Sequence, residues 1–162
     1  MDSRIKDTIV RHDKGFNCAQ AVACTYCDLL GYKEEDIFRM TEGFGAGMGG
    51  MQATCGALSG AVLLAGLKNS DGAIDAPKTK GRTYQLSKTM VNQFREKCGS
   101  TVCCELKGIT TGTPIHSCAD CIMDAAAIVE KVLFGGENMD KLKGKVVLDT
   151  RHICFLDGTY RL

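Results

Sequence analysis

A chain of 162 residues is the length of one domain, long enough to bury a core without disulfide support. A formal charge of +1, few aromatics and no tryptophan offer neither a basic patch nor a stacking platform, so nucleic acid is not an expected partner. The longest apolar run, 61–67, falls far short of the ~20 residues that span a bilayer, and residues 1–7 carry charges where a signal peptide needs apolar residues; the expectation is a cytoplasmic protein with no membrane association.

In chain order, residues 3–12 place Ile5, Ile9 and Val10 on one helical face, and Gly15 closes the segment. A second helix is predicted over 18–30, stopped by Gly31, and a short helical turn over 34–40. The stretch 43–50 is too glycine-rich for a regular element. Residues 55–67 read as a central helix, apolar nearly all round, whose Gly56, Gly60, Ala57, Ala61 and Ala65 let another backbone approach closely. After a polar loop, a long amphipathic helix covers 80–97 and is closed by Gly99. A short turn lies at 103–106, and a last helix over 118–133 ends at Gly135-Gly136. The expected fold is therefore all-α: a compact bundle of about five helices over residues 1–134, with a C-terminal extension, 135–162, packed on it. Within that extension Val146-Val147-Leu148 and Ile153-Cys154-Phe155-Leu156 suggest an irregular or β-like tail.

The compositional anomaly is ten cysteines, too few for a small disulfide scaffold and, in a reducing compartment, more in keeping with catalysis or metal binding. Asn17, with Gln20 three residues on, forms a capping-box pattern that puts Cys18 at the first helical position. Ser117 does the same for Cys118, Thr54 precedes Cys55, and Ser100 or Thr101 can cap the turn carrying Cys103 and Cys104. Free amides and the helix dipole stabilise an anion at such positions, which lowers a thiol pKa from ~8.5 and favours the thiolate that attacks disulfides or binds soft metals. The Cys-x-x-Cys pair Cys24 and Cys27 falls in mid-helix and reads as packing, as do Cys98 and Cys154, whereas Cys118 and Cys121 straddle a first turn. Neither pair is followed by His, which excludes covalent haem attachment. Gly45-x-Gly47-x-x-Gly50 follows no strand, so no nucleotide is expected; the loop instead turns its N–H groups toward an anionic ligand. His116 stands two residues from Cys118 and could ligate a metal, but reads first as a solvated loop histidine.

Three segments together resemble a known family: Gly15-Phe16-Asn17-Cys18-Ala19-Gln20-Ala21-Val22, Gly43-Phe44-Gly45-Ala46-Gly47-Met48-Gly49 and Thr54-Cys55-Gly56-Ala57-Leu58-Ser59-Gly60. They are similar to the C_GCAxxG_C_C family of redox-active proteins, with the later signature cysteines matching at Cys103 and Cys118. The resemblance covers roughly residues 3–134 and implies a helical redox protein with four signature cysteines, Cys18, Cys55, Cys103 and Cys118, the same four placed at helix starts above. A more distant similarity to the cysteine-rich part of split-Soret cytochromes implies an iron–sulfur cluster without their haem.

The expected function is accordingly an electron-transfer protein. Cys18, Cys55, Cys103 and Cys118 hold a 2Fe–2S or 4Fe–4S cluster, Cys104 and Cys121 stand in reserve, and Gly45, Gly47, Gly49 and Gly56 bring backbone N–H groups to it. If the site is metal-free, the same four thiols are the redox residues of a dithiol–disulfide protein. A third reading is a structural zinc site or a helical interaction module. No defined catalytic reaction is assigned. The expected partner is a redox protein, and the small-residue face of the central helix suits packing within a monomer or across a homodimer.

Overall fold

The computed structural model describes residues 1–135, and its regular elements there are helical. Seven α-helices are formed: α1 (Ile5–Asp13), α2 (Cys18–Tyr26), α3 (Glu34–Thr41), α4 (Gly56–Asn69), α5 (Lys80–Cys98), α6 (Cys103–Leu106) and α7 (Cys118–Val129). The expected count of five is corrected: 34–41 and 103–106, read as turns, each close a helix through their own backbone bonds. No strand occurs among the described residues, where β-pairing is limited to an isolated antiparallel bridge between Thr54 and Val102. The β-like bursts at 146–148 and 153–156, Cys154 and the expected C-terminal extension lie outside the described residues.

Helix ends follow local chemistry. The Asn17 side chain accepts hydrogen bonds from the N–H groups of Ala19 and Gln20, while the Gln20 side chain accepts from the N–H of Asn17, a complete capping box at the start of α2. Beyond Tyr26 the helix tightens into a 3₁₀ turn, Cys27–Leu30, which Gly31 closes in the left-handed conformation. Ser117 caps α7 by accepting from the N–H of Asp120.

Helix α4 is the axle of the bundle, packing against α2, α5 and α7. Its Ala57, Leu58, Gly60, Ala61, Leu64 and Ala65 are buried. A Cβ on Gly60 would lie 2.5 Å from the carbonyl oxygen of Ala19, so the absence of a side chain there sets the distance between α4 and α2. Gly66, on the same helix, has nothing within 4 Å of an added Cβ. Among the described residues no helix is long and apolar enough to cross a membrane.

The two glycines should therefore respond oppositely to the same change. Gly60→Ala is expected to lower stability by about 1–3 kcal/mol through overpacking, and Gly66→Ala to raise it by about 0.5–1 kcal/mol through the lower entropy of the unfolded chain. Urea unfolding of the two variants checks the pair; stabilisation by Gly60→Ala would show that the α2–α4 contact yields.

Candidate functional site

The described cysteines are all free thiols. Cys18 is the first residue of α2, Cys103 of α6 and Cys118 of α7, while Cys55 is the residue that caps α4. The segments carrying them are tied together by backbone bonds. Cys55 N–H donates to Thr101 at 2.8 Å, Cys103 N–H to Ala53 at 3.0 Å and Cys104 N–H to Met51 at 2.7 Å. The cap of α6 differs from expectation: Val102 holds that position, and Ser100 Oγ accepts from the Val102 N–H and donates to Glu105.

The glycine loop closes over these thiols. Glu42–Phe44 is a 3₁₀ turn, followed by a run of left-handed residues that includes non-glycine Ala46 and Met48, at φ 48° and 62°. Asn17 Nδ2 donates to the Glu42 carbonyl at 2.9 Å, so the cap of α2 also pins the loop. A Cβ on Gly45 would meet Asn17 at 2.8 Å, and one on Gly56 would sit 2.5 Å from Cys18 Sγ. One on Gly47 would lie 2.6 Å from Cys103 Cβ. Gly49 faces open space. Three of the four glycines thus secure close approach of backbone to the capping Asn17 or to a thiol.

Electrostatics separates the signature cysteines. Burial pushes the Cys18 thiol up; amides of Ala46 and Ala19 work against this, and the neighbouring Cys55 and Cys118 add to it. Burial, then Cys55, Cys18 and Cys118, push Cys103 up to about 11. The four signature thiols therefore share one electrostatic environment, but a helix start does not by itself make a thiolate. Cys55 is different. A hydrogen bond from Cys121 lowers it, burial opposes this, and the amides of Ala57 and Leu58 and the nearby His116 lower it further, to about 7. Cys121, donating to Cys55 and facing Cys98, is held protonated.

Beyond Cys121 lies a group that sequence reasoning did not assemble. Cys98 Sγ, His116 and Asp124 place one donor atom each within 4.8 Å of one another. His116 Nε2 is 2.8 Å from Asp124 Oδ2, Cys98 Sγ donates to the same oxygen at 3.7 Å, and Lys97 Nζ pairs with Oδ1 at 2.6 Å. Burial raises the Asp124 carboxyl, but hydrogen bonds from Lys97 and His116 outweigh it and hold the group below the usual carboxylate range. His116 was the one member with a visible signal, its place two residues before Cys118. Cys98 carries only a packing signal in the sequence and Asp124 carries none, because the end of α5 and the second turn of α7 meet only in the folded bundle.

This group corrects the iron–sulfur expectation. The donors brought within reach of one shared ion are a thiol, an imidazole and a carboxylate, whereas an iron–sulfur cluster is held by thiolates. The expected electron-transfer function and the cluster cofactor fall with it. Among the described residues, Cys98, His116 and Asp124 are a group that could hold a metal ion.

Fold and site together define a helical, thiol-rich protein with one activated cysteine at a helix start and a mixed-donor group beside it. The family model described as putative redox-active protein (C_GCAxxG_C_C) matches residues 16–132, and the chain belongs to that family. Searches of curated proteins and of solved structures return no match.

The sign of the Cys55 shift gives a pH test. A depressed thiol pKa means that the thiolate is present above about 7 and lost as pH falls through that value, whereas an ordinary thiol titrates near ~8.5. The ultraviolet thiolate absorbance of wild type minus that of Cys55→Ser should show a step near neutral pH. Cys121→Ala should move that step upward by removing the donor; an unmoved step would mean that the helix amides alone set the value.

Proposed function

We propose that the chain is a metal-binding member of its family, in which Cys98, His116 and Asp124 hold a single divalent cation of the zinc type in a structural role. The observation that supports this reading is the mutual approach of the three donor atoms within 4.8 Å. Zinc bonds of ~2.0–2.3 Å put neighbouring ligands of a tetrahedron roughly 3.3–3.8 Å apart. The 3.7 Å separation of Cys98 Sγ from Asp124 Oδ2 falls in that range and the 2.8 Å separation of His116 Nε2 lies below it, so small side-chain adjustments suffice. A thiol, an imidazole and a carboxylate suit a borderline cation, whereas magnesium and calcium take all-oxygen sets. Lys97 occupies Oδ1, leaves Oδ2 as the donor, and offsets the negative charge of carboxylate and thiolate. An ion at this point would join the end of α5, the loop before α7 and α7 itself.

Redox chemistry in this reading falls on Cys55, with Cys18, Cys103 and Cys118 as its thiol surroundings and Cys104 at their edge; Gly45, Gly47 and Gly56 keep the loop close to them. A cytoplasmic, reducing location and a redox partner protein are the setting that suits so many free thiols.

Reduced protein titrated with zinc in a calorimeter should bind one equivalent, more tightly as pH rises, because thiolate and neutral imidazole are the forms that bind a metal. Cys98→Ser and Asp124→Asn should each weaken binding at least about tenfold, the scale on which altered zinc ligation is felt. Magnesium at equal concentration should not bind. Zinc at ~100 times its dissociation constant should add about 2.7 kcal/mol to wild-type stability. Absence of stoichiometric zinc in the reduced wild type overturns the reading.

A further inference from the structure

A second opening lies at the far end of α4 from the thiols. The end of that helix, the loop 70–79 and the start of α5 enclose a cavity of about 580 Å³ with mainly apolar walls. Leu67, Tyr32, Ile74 and Tyr84 line it, and the last three are 40%, 93% and 68% exposed. Large apolar side chains exposed around one apolar cavity form a patch rather than scattered single residues, and such a patch marks a binding surface. The cavity is preformed, because Asn69 Nδ2 donates to the Thr79 carbonyl at 3.2 Å and to Thr83 Oγ1 at 2.9 Å, tying the end of α4 to the start of α5.

The described chain leaves the bundle at this same end. The Phe134 ring stacks on Tyr26, the last residue of α2, with centroids 6.0 Å apart, and Lys68 Nζ lies 4.4 Å from its centre. Lys68 is the neighbour of Leu67 in the last turn of α4. Residues 136–152 follow before the apolar run Ile153-Cys154-Phe155-Leu156, and at ~3.3 Å per residue they can span roughly 55 Å. Helix α4, with 14 residues, is about 21 Å long, so the cavity lies well within reach. The charges correspond as well: Arg151 and Asp157 flank the run, and Asp71 and Lys80 line the cavity. The run 146–148 has similarly placed charges but no aromatic ring, whereas Phe155 offers the ring that a cavity lined by two tyrosines favours.

We propose that residues 153–156 of the same chain dock in this cavity, with Phe155 as the anchor, Arg151 facing Asp71 and Asp157 facing Lys80. The docked segment covers Tyr32, Ile74 and Tyr84 and ties the end of α7 to α4 and α5, remote from the thiols. Neither the zinc reading nor the chemistry of Cys55 is needed for it.

The test is methyl and amide NMR on the full chain. Nuclear Overhauser effects are expected between the Phe155 ring and the methyl groups of Leu67 and Ile74. Amide hydrogen exchange of residues 154–157 should be at least about tenfold slower in wild type than in Phe155→Asp or Ile74→Asp. Ile74 is exposed, so Ile74→Asp leaves the described core intact, which unchanged methyl signals of the buried Leu58 and Leu64 report. The wild-type contacts need no variant to fold. Their absence overturns the proposal, as does exchange in wild type as fast as in either variant. Contacts from Val147 in place of Phe155 overturn it too, by assigning the cavity to the run 146–148. Contacts seen only between differently labelled copies in a mixed sample also overturn it, because the occupant is then a second molecule's segment.

Discussion

The structure depends on the close contact between α2 and α4. With no side chain at Gly60, the backbone of α4 reaches the carbonyl of Ala19, and with none at Gly56 its first turn reaches Cys18 Sγ. That contact fixes where α4 begins, and its beginning is Cys55. Everything chemical is arranged around this point: the glycine loop folds over it, the bridge between Thr54 and Val102 draws α6 to it, and α7 delivers Cys121 from the opposite side.

Several cysteines share the advantage of a helix start, yet the one with the lowered pKa also has a thiol donor. Burial and the proximity of other sulfurs oppose ionisation at Cys18 and Cys103, and the local amides do not overcome them. At Cys55 a hydrogen bond from Cys121 is the largest favourable influence, ahead of the helix amides. Thiolate character is thus decided across the bundle, by contact between α4 and α7, more than along any one helix. The same contact continues to Cys98, Asp124 and His116 and makes one connected network of two groups that differ in chemistry.

Much of the bundle was legible because local signals were strong. The capping box at Asn17 and Gln20, the stop at Gly31 and the small-residue face of 55–67 each state a local conformation, and each appears where expected. The helices at 34–41 and 103–106 look like turns in the sequence because one or two turns of helix carry little periodicity. The mixed-donor group was largely illegible for another reason. Its members belong to α5, a loop and the middle of α7, and no spacing along the chain brings Cys98 to Asp124.

The sequence by itself determined the longer helices, the caps of α2 and α7 and the family, because hydrogen bonds to neighbouring residues and an ordered set of motifs are local properties. Only the tertiary structure decided which cysteine is activated and which donors meet. Burial, a thiol donor from another helix, and the approach of a thiol, an imidazole and a carboxylate to within 4.8 Å arise when separate helices pack.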